Sequence, residues 1–159
     1  MTKQHIFKND NAIGKRGEAI FKAFLDRRNA IYTDVSEDGE YQEQDIDFVV
    51  DSKRVPGKKI YIEVKNDTRI ASTGNIFFET MSNVDYSTEG CFSKTKANYI
   101  AIVSESERLI YFVKTQFLKK FIEEHSHELR FIPRVPGSNS CGYLIPLKKL
   151  GENVASRSY

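Results

Sequence analysis

The spacing of apolar and polar positions changes several times along this chain, and each change marks an element. Residues 12–28, AIGKRGEAIFKAFLDRR, set Ile13, Gly17, Ile20, Phe21, Phe24 and Leu25 on one stripe at helical spacing. Asn11 stands where an N-cap belongs, and Arg27 and Arg28 suit the negative end of a helix. The period then drops toward two. AIYTDV predicts a short strand, SEDGEYQE a polar loop, DIDFVV a second strand and IYIEVKND a third. Between the last two, DSKRVPGKK is turn material around Pro56-Gly57 and makes them a hairpin. NIFFETMS predicts a further strand, and a short helix at 93–96 leads into strand NYIAIV. RLIYFV, an amphipathic helix TQFLKKFIEEH and two short strands near 130–133 and 142–146 complete the pattern. Helix, strands, helix and strand again describe one α/β domain over residues 1–159, a central mixed β-sheet flanked by helices. Residues 1–10 and the polar tail GENVASRSY, 151–159, are expected to be flexible ends.

The hairpin carries charge where a strand should be plain. Side chains alternate along a strand, so Asp45 and Asp47 share one face, with Ile46, Phe48 and Val50 on the other. In the returning strand Tyr61, Glu63 and Lys65 share a face, opposed by Ile60, Ile62 and Val64. A plain two-residue turn would set Phe48 opposite Lys65, on the wrong face. Convergence of Asp47, Glu63 and Lys65 therefore requires an odd-length loop or a bulge, for which Gly57 is a natural left-handed residue. Two carboxylates brought together repel and have raised pKa values unless a cation lies between them. A hard divalent ion, Mg²⁺ above all, takes carboxylate oxygens and keeps sites for phosphate, and a neighbouring lysine offsets charge on phosphorus. That set suits phosphodiester cleavage. The alternative is a solvent-facing ladder of salt bridges on a half-exposed sheet.

Composition narrows the setting. Hydrophobic residues make up 40% and charged residues 29% of the chain, as in ordinary globular proteins. A net charge of +2 neither requires nor excludes nucleic acid, so local clusters decide. Cys91 and Cys141 form neither a metal-ligand spacing nor a disulfide framework, and the expected location is a reducing cytoplasm. No apolar run has the length of a signal peptide or a membrane span, so no membrane partner is expected.

The order DIDFVV, a gap, then YIEVKND resembles the PD-(D/E)XK nuclease superfamily, whose core sets an acid and then acid-x-lysine on adjacent strands. In GKRGEAIFKAFL, Glu18 is similar to the acid that many members place on the first helix. The segment from Thr73 to Val103 resembles resolvase-like and phage-type members, with Gly90-Cys91-Phe92 a loose counterpart of their Gly-aromatic step. The resemblance spans about residues 12–103. It implies a restriction-endonuclease-like fold and a Mg²⁺-dependent deoxyribonuclease, with Mn²⁺ able to substitute. It implies that Asp47, Glu63 and the Val64 carbonyl bind the metal, that Lys65 assists the attacking water, and that Glu18 holds a water or second ion. No proline precedes either aspartate of the first motif, which leaves Asp45 open beside Asp47; Asp47 is preferred because an apolar run follows it. The small size tilts the reading toward a structure-specific enzyme for junction or branched DNA, dimeric because one site cuts one strand, from a phage or mobile element.

Contacts to DNA are expected from Lys15 and Arg16, in the first turn of the helix, and from Lys94 and Lys96 in SKTKANY. Phe77, Phe78 and Phe92 are assigned to the core rather than to base stacking, and Glu79 to a structural role. His125 and His127 end a helix, where they complement its dipole. The competing reading from another class is a nuclease-like fold kept as a non-catalytic DNA-binding or assembly module.

Overall fold

The computed structural model describes residues 3–159, with side chains described from residue 11 onward. Helix α1 (Lys3–Arg27) precedes β1 (Tyr32–Asp34), the single turn α2 (Gly39–Gln42) and the hairpin of β2 (Phe48–Asp51) and β3 (Lys59–Asn66). Then come α3 (Ile70–Thr73), β4 (Asn75–Asn83), β5 (Thr88–Glu89) and α4 (Cys91–Lys94). Strands β6 (Tyr99–Ser104) and β7 (Leu109–Lys114) lead to α5 (Thr115–His125). The chain ends with β8 (Arg130–Ile132), β9 (Cys141–Pro146), α6 (Leu147–Leu150) and β10 (Val154–Ser158).

Six strands form a mixed sheet in the order β1-β2-β3-β6-β7-β10. Only β3 and β6 run parallel, and a parallel step needs a crossover. Residues 67–98 supply it, and they carry part of a second, antiparallel sheet of order β5-β4-β9-β8. The sequence pattern anticipates the mixed sheet but not the second one. Alternation shows that NIFFETMS is a strand; it does not show that its partner is β9, far along the chain.

Both faces of the main sheet are covered. Helix α1 lays Phe21, Phe24 and Leu25 on Phe48, Ile62, Val64, Ala101, Val103 and Ile110. Phe21 is fully buried and packs edge-on to Phe48 at 5.1 Å, burial that is worth about 1.5–3 kcal/mol. Gly17 lets the helix approach, since a Cβ there would stand 2.8 Å from that of Asn66. On the opposite face Ile100, Ile102 and Val113 meet Leu118 of α5, Cys91 and Phe92 of α4, and Ile76, Phe78 and Ile145 of the second sheet.

Two expectations need correction. Helix α1 begins at Lys3, so Asn11 lies inside it and caps nothing; no Gly or Pro interrupts residues 3–11, and propagation continues through them. Residues 1 and 2 of the expected flexible start lie outside the described residues. The tail is not frayed: β10 pairs antiparallel with β7 from Val154↔Val113 to Ser158↔Leu109. An edge strand held by its backbone ladder, with its side chains mostly in solvent, needs no apolar alternation. No helix among the described residues is long and apolar enough to cross a membrane.

Candidate active site

The hairpin closes through the odd-length loop 52–58. Asp51 pairs with Lys59, the Ser52 N–H donates to the Lys58 carbonyl at 2.9 Å, and Gly57 takes φ 77°. The register runs Phe48↔Ile62, Val49↔Tyr61 and Val50↔Ile60. At the open end the Asp47 N–H also donates to the Ile62 carbonyl at 2.9 Å, so Asp47 and Phe48 together oppose Ile62, a bulge. The Asp47 carboxylate turns back into the ladder. Its Oδ2 accepts the Val64 N–H at 2.8 Å, and Glu63 lies close enough for each carboxyl to act on the other. The odd loop length thus meets the condition read from the sequence, and the bulge then turns the Asp47 carboxylate into the ladder.

Before Asp47 the simple alternation fails. Asp45 takes φ 47°, and Ile46 packs with Val35 and Ala97, in a cluster apart from that of Phe48. The Ile46 N–H turns away to the Tyr41 carbonyl at 3.1 Å. Since N–H and C=O of one strand residue point the same way, the Val64 carbonyl lies on the edge that β2 has left. Asp45 meanwhile pairs with Lys94 at 3.5 Å, and the Thr95 hydroxyl donates to its carbonyl at 2.7 Å. Of the two candidate aspartates, Asp47 sits against Glu63.

Glu63 is only 5% exposed, with its carboxylate 3.2 Å from the Lys65 ammonium. A solvent-facing salt-bridge ladder would leave it open. Burial pushes the Glu63 carboxyl up to about 8 against the pull of Lys65, and the neighbouring Asp47 and Asp45 add to the rise. Asp47 is raised by burial too, partly offset by the Val64 N–H, with Glu18 adding to the rise. For Lys65, burial works against the charge, while the Glu63 and Glu79 carboxyls beside it favour the ammonium, which lies above its ordinary range. Cys91 itself is pushed to about 12 by burial, so it is a thiol at neutral pH. Lys65 is therefore an ammonium at neutral pH.

These groups line one cleft of about 1290 Å³ between α1, the open end of the hairpin and the second sheet. Glu18 lines it from α1, near enough to raise Asp47, and pairs with Lys15 at 3.0 Å. Lys15 lines it as well and also pairs with Glu37. The other expected DNA contacts are not part of its lining. Arg16, one helical step round from Lys15, is held by Glu105 at 3.1 Å; Lys94 is held by Asp45; Lys96 is exposed. Glu79, assigned to a structural role, lines the cleft and supports the Lys65 charge, while its Oε1 accepts the Cys91 N–H at 3.4 Å. The signal available was an isolated carboxylate between Phe78 and the end of an apolar strand.

Among the described residues no three His, Cys, Asp or Glu side chains cluster as a metal-holding group. The donors that meet are two carboxylates, Asp47 and Glu63, with the Val64 carbonyl on the same edge. An all-oxygen set of this size fits a hard cation such as Mg²⁺, which binds through one or two carboxylates and retains water. No family model matches the chain, and neither any curated protein nor any solved structure matches it.

The buried carboxyl has a consequence for stability. Between the ordinary value, 4.5, and about 8, the folded state keeps a Glu63 proton that the unfolded state releases. Stability conferred by that proton is complete below 4.5 and declines as pH rises through this window. Thermal melts in chelator from pH 5 to 9 are expected to show a falling midpoint that Glu63→Gln largely flattens. A parallel decline in both proteins would rule out Glu63 as its source.

Proposed function

We propose that this protein is a metal-dependent DNA endonuclease of the PD-(D/E)XK type, with a restriction-endonuclease-like fold. The observation that carries the reading is the hairpin register, which seats the Asp47 carboxylate against a buried Glu63 that lies 3.2 Å from the Lys65 ammonium. The element order adds support: a helix, three antiparallel strands, a crossover, and a strand parallel to the third.

Asp47, Glu63 and the Val64 carbonyl would hold Mg²⁺ or Mn²⁺. The bound ion would supply Lewis-acid polarisation of the phosphate and a lowered pKa for water. The side chains do the rest. Lys65, kept cationic by Glu63 and Glu79, donates to a phosphate oxygen and offsets charge as phosphorus becomes five-coordinate. Asp47 is fixed by the Val64 N–H, so its free oxygen is pre-aimed. Glu18 adds negative charge beside Asp47, which favours a cation there.

The test incubates the protein with supercoiled, linear, branched and single-stranded DNA in Mg²⁺, Mn²⁺ or chelator, beside Lys65→Ala. Metal-dependent nicking that the variant loses is the expected result. Binding without cutting in every metal would favour the non-catalytic module. Preferential cutting of branched DNA would extend the proposal to junction processing.

A further inference from the structure

The cleft has a second wall that hydrolysis does not use. Pairing in the second sheet sets Arg130 opposite Leu144 and Leu144 opposite Phe77, so the three form one row across β8, β9 and β4. Directly opposed residues share a face. Ile76, Phe78 and Ile145 point into the core, whereas Phe77, Leu144 and Arg130 line the cleft. Arg69, at the start of α3, lines it as well. Arg16 and Arg134 are committed to Glu105 and Asp85. Among the described residues, by contrast, neither Arg69 nor Arg130 has a carboxylate within ion-pair distance.

We propose that this wall binds a single strand of DNA: Phe77 and Leu144 take an unpaired base, Arg69 and Arg130 hold flanking phosphates, and the strand leads to Glu63 and Lys65. The inference deepens the endonuclease reading and rests on it. An aromatic-aliphatic row offers a stacking surface, and only an unstacked base presents a free face to it; duplex DNA shows base edges and phosphates instead. The volume, about 1290 Å³, exceeds the roughly 300–1,000 Å³ of small-molecule sites and suits a short polymer segment. Asp45 and Glu79 line the same cleft and repel phosphate, which favours the backbone on the side of Arg130 and Arg69, where Asp67 accepts the Arg69 N–H at 2.8 Å. Phe77, placed in the core from sequence, thus differs from Phe78 and Phe92, which are 3% and 5% exposed.

Fluorescence anisotropy of the full chain in chelator tests it, with one labelled oligonucleotide presented single-stranded and as duplex. The single strand is expected to bind at least about tenfold more tightly. Phe77→Leu, which keeps the apolar volume and removes the ring, should weaken it by roughly 5–100-fold without changing the salt dependence. Arg69→Gln and Arg130→Gln should each lower the slope of log affinity against log salt by about 0.7. Lys120→Gln on α5, an exposed control, should change neither. Duplex binding as tight as single-strand binding, or a Phe77→Leu protein that folds and binds normally, overturns the site. Metal-dependent cutting of duplex without any single-strand preference would overturn this inference and leave the endonuclease standing. Single-strand binding on these residues without cutting in any metal would do the reverse.

Discussion

Glu63→Gln is expected to keep its fold and lose metal-dependent cleavage. The loss should exceed the roughly 10–100-fold caused by removing a group that merely orients a metal ligand. The substitution is nearly isosteric, and the site already favours a neutral group: at neutral pH without a cation, Glu63 carries a proton. An amide therefore replaces a carboxyl at little cost in packing. It cannot become the anion that a divalent ion requires, so affinity for the ion falls with the charge. The same logic predicts the pH profile of the parent. Cation binding must displace the proton held by Glu63, so cleavage at limiting Mg²⁺ should rise with pH toward about 8. Saturating Mg²⁺ should shift that rise to lower pH. Two measurements decide: cleavage rate at several Mg²⁺ concentrations from pH 6 to 9, and calorimetric Mg²⁺ binding to both proteins. Equal Mg²⁺ affinity and turnover in Glu63→Gln would exclude Glu63 from the site.

Local pattern carried far into this structure, and its failures are informative. The hairpin, the helix over Thr115–His125 and the faces of β3 follow from spacing alone, because each obeys one period over its length. The need for a bulge or odd loop was legible too, since side-chain parity in a hairpin is a counting problem. What spacing does not hold is partner choice. Whether β4 pairs with β3 or with β9 depends on contacts distant in sequence, and the role of Glu79 depends on that choice. The expected cations divide for a related reason: Lys15 lines the cleft, and the others do not. Arg16 follows Lys15 and Lys94 lies two residues beyond Phe92, yet each is paired with an acid distant in sequence. Arg69 and Arg130 sit in stretches with no motif. Only the fold shows them on the wall of the cleft.

The second sheet depends on two glycines whose effect should be among the largest of any single change. Gly142 stands opposite Glu79, where the pairing of β4 and β9 slips between Glu79 and Met81. A Cβ on Gly142 would collide with the Phe78 carbonyl oxygen and stand 3.0 Å from the Glu79 Cα. On Gly90 it would stand 2.5 Å from the Glu79 carbonyl oxygen. In both cases the obstacle is backbone in a sheet, which cannot move aside as a side-chain tip would. Overpacking costs typically 1–3 kcal/mol, so Gly142→Ala is expected to lose about 3 kcal/mol or more. For a chain of this size that is roughly 6–12 °C in the thermal midpoint. Gly14, helical and with open space around it, supplies the control: Gly14→Ala should gain about 0.5–1 kcal/mol. The same collision bears on the chemistry, because the segment displaced carries Glu79, one of the carboxylates that keep Lys65 charged. Activity of Gly142→Ala, measured well below its midpoint, should therefore fall with that of Glu79→Gln. A Gly142→Ala protein with an unchanged midpoint would mean that β4 and β9 are not pressed together at Glu79, and the support of Lys65 from that side would fall with it.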